Sequence, residues 1–562
     1  MEYIIGTIIL LAIIFLVTNS NKKTDKQPVE DKLTPKPQFV LTDEFKEILD
    51  LLKNTNENLF ITGKAGTGKS SLLKHFIKTT NKKLVILAPT GIAALNVGGQ
   101  TIHSFFRFKP SVIYPNQIEP DYVRAELFKN LQMVIIDEVS MVRADLMNGV
   151  DMALRKNRNK PNEPFGGVQM VFIGDLFQLP PVLKDEERDY ILRTYGGQYF
   201  FDATVFKSFK YQFKELTTIF RQSEEQPEFK TMLNNIRSNQ AQFNDMALLN
   251  SRHKDNTIEH ENSIFLTTRR NIARNINNDK LESLLGEKVT YMGVLSGKYL
   301  KLKEETEEKL EDKLPAPYKL ELKKDAQIMM LKNDGCKRWV NGSIGKIEKL
   351  EPDAITVKID GNKYKIEKES WNEVEYVLNP ETKEIEERVI AGFSQFPLQL
   401  SYAMTIHKSQ GKTFDKITVD VGTGAFAHGQ VYVALSRCTT LAGIVLNNPI
   451  RNNDIIVDPR VIEYYKNKSI PQSRQLISTT KPSSTGFIRD EILKAIDGRH
   501  SIKILYENFN GETSERQLSD LKLTNDFNEF GYDKQHVKGF CHLRNEERSF
   551  KIDRIKKIEL LK

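Results

Sequence analysis

Short apolar runs alternate with mixed helical stretches from residue 59 to about 220. Leu59–Thr62, Lys83–Pro89, Met133–Asp137 and Gln169–Asp175 each read as a buried strand that stops at a polar or glycine-bearing loop. This alternation predicts an α/β, doubly wound domain with a parallel sheet. Ligands of such a domain sit beyond the carboxyl ends of the strands. Ahead of it, Phe45, Ile48, Leu49 and Leu52 have helical spacing, and Thr42 stands where an N-cap belongs. Residues 303–313 (KEETEEKLEDK) are a charge run, read as a solvated helix or loop. Over residues 345–400 the pattern shortens to small alternating strands between Gly and Pro turns, which predicts a small β-barrel or sheet module. Residues 487–562 read as a compact final module.

Two stretches have little to bury. Residues 19–38 carry Pro28, Pro35 and Pro37 among charges, and residues 467–486 are rich in Ser, Thr and Pro; both are expected to be linkers. Before the first linker, Tyr3 to Val17 is apolar or small apart from Thr7. As a helix this run would span roughly 22 Å, short of a hydrocarbon core of about 30 Å. Glu2 precedes it where a secretory signal would be basic. Lys22, Lys23 and Lys26 follow it, which by the positive-inside rule keeps the remainder cytoplasmic. Residues 1–18 are therefore expected to be an N-terminal anchor, with membrane contact through residues 3–18, tethering a cytoplasmic protein to the inner face of the plasma membrane. The alternatives are an apolar helix docked on the body and a misassigned start.

Composition narrows the class. A chain of 562 residues implies roughly three to four domains. At 39% hydrophobic and 28% charged it is neither collagen, nor a polytopic membrane protein, nor wholly disordered. The net charge of +8 is mild for this length and names no partner. The three cysteines form no CxxC pair, so no disulfide framework or zinc site can be read from them.

Chemistry enters with Gly63-Lys64-Ala65-Gly66-Thr67-Gly68-Lys69-Ser70, which follows a strand and opens a helix. This is a phosphate-cradling loop: backbone N–H groups close around phosphates, Lys69 reaches the terminal ones and Ser70 offers its hydroxyl to Mg2+. Asp137 and Glu138 end a buried strand. Asp137 suits a Mg2+ contact and Glu138 suits activation of the attacking water. Gln178, in Gly174–Val182 (GDLFQLPPV), can contact both a γ-phosphate and that water. Arg221 and Arg437 each end an apolar element and are candidate charge stabilisers for the transferring phosphate. Thr405–Thr413 (TIHKSQGKT) forms a polar turn containing Gly411.

In this order, GKAGTGKS, APTGIAAL with TIHSFF, DEVSM, GDLFQLPPV, FRQ, TIHKSQGKTFD and GQVYVALSR resemble the helicase motifs of the Pif (petite integration frequency) family, in the type B branch of helicase superfamily one. The resemblance runs from about residue 40 to about 450. It implies two RecA-like P-loop NTPase domains, residues 39–215 and 216–466, with a small SH3-like β insertion at about 345–400. It implies a motor that uses ATP and Mg2+ to move 5′ to 3′ on single-stranded DNA, a monomer acting on tailed or forked DNA in replication, repair or recombination. Lys69, Asp137, Glu138, Gln178, Arg221 and Arg437 would be catalytic, the two arginines as fingers from the second RecA-like domain closing on ATP at the domain interface. Gly63, Ala65, Gly66, Thr67, Gly68, Lys69, Ser70 and Gly411 would bind ATP, with Ser70 and Asp137 on the metal. Pro89, Thr90, His103 and His407 match positions on the single-strand path, and Phe105 and Phe106 offer stacking faces or pack in the core. Phe45 stands where relatives carry an adenine-reading glutamine, and a phenyl ring cannot make an amide's hydrogen bonds. The final module resembles a WYL domain, a small β-barrel, although Gln535-His536-Val537 replaces the naming triplet. Arg516, Arg544, Arg548 and Arg554 are its candidate ligand contacts, unless they pair with the module's own acids. The competing readings are a nucleic-acid-sensing ATPase without processive unwinding, and a P-loop kinase or GTPase.

Overall fold

The computed structural model describes residues 41–222, 226–253, 263–336, 338–469, 485–498, 500–508, 513–524 and 536–561. They fall into two compact units, divided between Asp458 and Pro459.

The first unit opens with α1 (Asp43–Asn54). The Thr42 hydroxyl accepts the Phe45 N–H at 3.2 Å, and Phe45, Ile48, Leu49 and Leu52 form the buried face. β1 (Leu59–Gly63) is buried along its whole length and feeds α2 (Lys69–Thr79). β2 (Leu84–Ala88), α3 (Gly91–Val97), β3 (Gln100–Thr101), β4 (Met133–Ile136), β5 (Gln169–Ile173) and β6 (Gln212–Leu216) follow. The six strands form one sheet, ordered β3-β2-β4-β5-β1-β6, and every pairing is parallel. Parallel strands covered on both faces must be apolar throughout, which is why the sequence shows runs here and little alternation. Because all strands run one way, the loops after β1, β2, β4, β5 and β6 leave from the same edge.

A second parallel sheet is built from β7 (Ile264–Thr267) and three later strands, with α4 (Arg270–Ser283) after β7. Between them lies the β-rich insertion. Its five-stranded antiparallel sheet joins Gln327–Met330, Ile344–Leu350, Ile355–Ile359, Asn362–Ile366 and Leu398–Leu400 around Ile328, Ile347, Val357 and Phe396. Earlier in the insertion, α5 (Glu307–Lys313) carries the charge run. The hairpin Glu369–Leu378 and Ile385–Gln395 leaves this sheet and pairs with Val294–Gly297. It reaches the first lobe, where the Tyr376 hydroxyl accepts the Ile86 N–H at 3.2 Å and Lys83 donates to the Lys383 carbonyl at 2.7 Å. With the pair Val289–Met292 and Lys319–Leu322, the β residues thus begin before 345 and serve three sheets; alternation marks strands but does not say which sheet each joins. β8 (Ala403–Thr405), β9 (Ile417–Asp420), α6 (Gln430–Leu435) and β10 (Ile444–Leu446) complete the second lobe, whose sheet runs β8-β7-β9-β10.

The second unit holds a five-stranded antiparallel sheet from Ser501–Glu507, Thr513–Thr524, His536–Cys541, Glu546–Lys551 and Ile555–Leu561. The helix Thr485–Asp497 packs Ile488, Ile492 and Ala495 against it. Helices Pro459–Ser469 and Thr485–Asp497 take up the ends of the expected 467–486 linker. The rest of that linker, the 19–38 linker, the 1–18 anchor and Gln535 lie outside the described residues. Among the described residues no helix is long and apolar enough to cross a membrane.

Candidate active site

The phosphate loop follows from two left-handed glycines. Gly66 (φ 86°) and Gly68 (φ 81°) turn the chain sharply between β1 and α2. A Cβ on Gly66 would come within 2.5 Å of the Arg221 Cβ, and one on Gly68 within 3.0 Å of the Phe45 ring. The segment after β6 therefore lies directly on the loop, and the Phe220 N–H donates to the Gly66 carbonyl at 2.9 Å. Lys69 turns its ammonium to the Gly63 and Lys64 carbonyls, at 2.6 and 3.0 Å. Burial lowers the Lys69 pKa, and the charges of Asp175 and Glu138 work against that shift. Ser70 is exposed at the mouth of the loop.

β4 delivers Asp137 and Glu138 to the same edge. Asp137 is 7% exposed, and its pKa is pushed up to about 7 by burial and by the Glu138 charge. Burial also raises Glu138, which sits at φ 49°. From the second lobe, Gln410 donates to Glu138 Oε2 at 3.1 Å. Beyond β5, Asp175 is buried and ion-paired with Arg237 at 3.0 Å. Burial alone would raise the Asp175 pKa, but Arg237 and Lys69 outweigh it and hold the carboxylate below its ordinary range. Arg237 also stacks on Phe177, 4.2 Å from the ring centre. Gln178 is buried and donates to Asp175 Oδ2 at 3.4 Å.

The second lobe closes the site through α6. The Ala65 N–H donates to the Tyr432 hydroxyl at 3.0 Å, and that hydroxyl donates to Asp175 at 3.5 Å. Arg437 is 1% exposed and donates to the Val433 carbonyl and the Ser436 hydroxyl, both at 2.9 Å. Arg221 donates to the Ser436 carbonyl at 3.1 Å. Burial and the Arg221 charge lower Arg437 to about 9, and burial lowers Arg221. Among the described residues neither guanidinium forms an ion pair.

Gly411 (φ 78°) lies in the exposed turn after β8. Thr90, half-buried Pro89, His103 and His407 sit at the openings of short helices. Thr90 and Thr405 cap two of these helices, accepting the Ala93 and Lys408 N–H groups at 3.2 Å each. His103 is half-buried; burial and the Arg143 charge lower its pKa. The stacking role open to Phe105 and Phe106 does not hold. Both are buried, at 0% and 8% exposed, against each other and Phe128, with Arg124 over Phe105. Phe45, 2% exposed, packs under the loop near Phe220. In the second unit Arg548 pairs with Glu546 at 2.9 Å, Arg516 donates to the Glu515 carbonyl, Arg544 is exposed, and Arg554 lies near enough to His536 to help lower its pKa, after burial and Lys551.

Asp175, Arg237, Gln410 and Tyr432 were not among the expected site residues. Three of them lie inside quoted motifs, so the signal was present. Arg237 ends an ordinary amphipathic helix and gives no local sign of its partner.

A partly buried P-loop, two carboxylates at a strand tip and two arginines brought in at the seam of two parallel-sheet lobes define a P-loop nucleotide hydrolase with a two-lobed core. The comparisons place it further. A family described as PIF1-like helicase matches residues 40–247, one described as Helicase matches 380–470, and the WYL domain matches 488–560. The ATP-dependent DNA helicase Pif1 of Bdellovibrio bacteriovorus is 34% identical over 445 residues, covering 77% of this chain and 93% of that protein. Unliganded Pif1 from Bacteroides sp is 40% identical, with 77% of this chain and 98% of that one covered and a TM-score of 0.70. Bacteroides Pif1 bound to single-stranded DNA is 40% identical, covering 76% and 97%, at a TM-score of 0.55. The chain belongs to the PIF1-like helicase family and is an NTP-hydrolysing enzyme with a C-terminal WYL domain.

Proposed function

We propose that the protein hydrolyses ATP with Mg2+ to move 5′ to 3′ along single-stranded DNA. It separates strands at tailed or forked duplexes, as a monomer, in replication, repair or recombination. The observation that carries this reading is the split site: the P-loop and carboxylates come from one lobe, Arg437 and Tyr432 from the other, and all meet at one buried seam. The expected boundaries shift: β6 ends at Leu216 within the first sheet, so Arg221 follows the first lobe and not the second, and the second lobe ends by Asp458; residues 487–562 tune coupling or substrate choice.

The donor set fits a nucleotide and its cation. Asp137 is a buried carboxylate whose proton is easily displaced near neutrality, and Ser70 supplies a neutral oxygen. Mg2+ takes one or two protein oxygens and completes its shell from phosphate and water. When bound, it would screen the phosphate charges. The backbone amides of Gly66 to Ser70 cradle the phosphates, and Lys69 exchanges its two carbonyl partners for phosphate oxygens. Glu138, positioned by Gln410, orients water and takes its proton. Arg221 and Arg437 stabilise charge on the transferring group. Gln178 and Tyr432 share Asp175, so a change at the phosphates reaches both lobes through one carboxylate. Thr90, His103 and His407 hold the single strand by contacts that ignore sequence.

Lys69→Ala tests the reading. DNA-stimulated hydrolysis and displacement of a 5′-tailed duplex are expected to fall at least about 100-fold while DNA binding persists. Normal turnover in that variant would sink the assignment. Wild-type hydrolysis stimulated by DNA but without strand displacement would replace the motor with a sensor.

A further inference from the structure

The charge run in α5 is more than a solvated face. Leu310 is buried among Leu295, Leu314, Trp371 and Phe393, with Leu95 of α3 packed at the edge. With that face fixed, the acids turn toward cations of the second lobe. Glu308 meets Arg274 at 3.0 Å, and Asp312 meets Arg270 at 2.8 Å. Glu311 lies 3.3 Å from Lys408 and 3.8 Å from Arg274. Arg270 and Arg274 stand one turn apart at the start of α4, on one face. Lys408 follows His407, whose side chain is exposed. The far end of α5 approaches the first lobe: a Cβ on Gly91, the neighbour of Thr90, would lie 4.0 Å from the Lys313 carbonyl. The C-terminal end of this helix therefore lies beside both Gly91 and Lys408, the neighbours of Thr90 and His407.

We propose that Arg270, Arg274 and Lys408 form a contact strip for the phosphodiester backbone of single-stranded DNA, and that the acids of α5 are its built-in occupant, displaced when DNA binds. The proposal rests on the reading of Thr90 and His407 as DNA contacts. Three carboxylates spaced along a helix present to the strip what a run of phosphates would present. The pairs suit exchange. Their side chains are 36% to 69% exposed, and exposed ion pairs hold weakly and are screened by salt. A polyanion that also releases its own counterions outcompetes them, whereas isolated anions do not. The acids thus set a threshold against weak or short polyanions.

The test is anisotropy of a labelled oligothymidylate with the full chain. Neutralising the occupant (Glu308→Gln, Glu311→Gln and Asp312→Asn together) is expected to tighten binding about 10-fold at low salt, with the advantage shrinking as salt rises. Arg270→Gln with Arg274→Gln is expected to weaken binding about 10-fold and to reduce the salt slope by about 1.4, the share of two phosphates. The same charge removed from Asp185, Glu186 and Asp189, exposed acids of the 185–195 helix, controls for net charge and should change affinity less than about twofold. If the α5 variant behaves like this control, the occupant is refuted, and an unchanged slope in the arginine variant refutes the strip. If neither wild type nor the α5 variant binds the oligonucleotide, the DNA reading falls and takes the strip with it.

Discussion

Asp137 and Glu138 impose a stability cost that a single substitution can expose. Asp137 is buried, and its pKa is pushed up to about 7 by burial and then by Glu138, from an ordinary 3.8. A carboxyl whose folded pKa exceeds its unfolded value binds its proton more tightly when folded. Its contribution is fully present below the unfolded pKa and is lost as pH rises from about 4 through about 7. Some three pKa units at about 1.4 kcal/mol each bound the loss at about 4 kcal/mol. Coupling to Glu138 shares that shift between two groups, which brings the figure for Asp137 to about 2–3 kcal/mol. Asp137→Asn keeps the shape and removes the charge. In calorimetric unfolding without Mg2+ or nucleotide, the variant is expected to be about 2–3 kcal/mol more stable than wild type at pH 8, with most of that gain gone at pH 4. Adding Mg2+ and nucleotide should stabilise wild type far more than the variant, because binding to the folded state alone raises its stability. A variant no more stable than wild type at pH 8, or one whose advantage is the same at both pH values, would refute the reasoning.

Two further substitutions separate packing from contact. Tyr432→Phe removes the acceptor of the Ala65 N–H and leaves a buried amide unpaired at the seam, a loss of about 1–3 kcal/mol; DNA-stimulated hydrolysis should fall about 10-fold in steady-state assays with oligonucleotide affinity unchanged. Phe105→Ala should cost about 3–5 kcal/mol of stability in urea denaturation, while the folded fraction keeps its DNA affinity; weaker binding without destabilisation would return Phe105 to the DNA path.

Much of the first lobe was legible because parallel strands buried on both faces print their apolar residues consecutively. Each ends at a loop whose chemistry is local: GKAGTGKS, Asp137-Glu138, GDLFQLPPV. The Thr42 cap was legible for the same reason, since the bond spans three residues. What was not legible depends on long-range pairing. Phe105 and Phe106 look alike as core or as stacking platform until Phe128 and Tyr376 are seen packed on Phe105. Arg237 becomes a site residue only because its helix brings it to Asp175, 62 positions away. The charge run of α5 showed its acids but not the cations opposite, which come from α4 and from the turn after β8. The insertion's alternating pattern predicted strands but did not assign the 369–395 hairpin to a different sheet from 344–366.

The charge balance at the seam argues that lobe closure and nucleotide binding are one event. Lys69, Arg221 and Arg437 bring three positive charges to it. Of the acids, Asp175 is already matched by Arg237, and burial and the Glu138 charge leave Asp137 only partly ionised at neutral pH. Glu138 is also pushed toward its neutral form. Positive charge therefore exceeds negative charge in a region with little water, and burying unmatched guanidiniums is expensive. The carbonyls of Val433 and Ser436 soften that cost without cancelling it. A polyanion is the ligand that relieves it. Because Arg221 follows the last strand of one lobe and Arg437 ends a helix of the other, relief requires both lobes to converge on it. After hydrolysis, once inorganic phosphate has left with its charge, the two guanidiniums again oppose each other across the seam. In the proposed cycle, repulsion that returns as phosphate leaves would favour reopening of the seam, from residues the fold buries in any case.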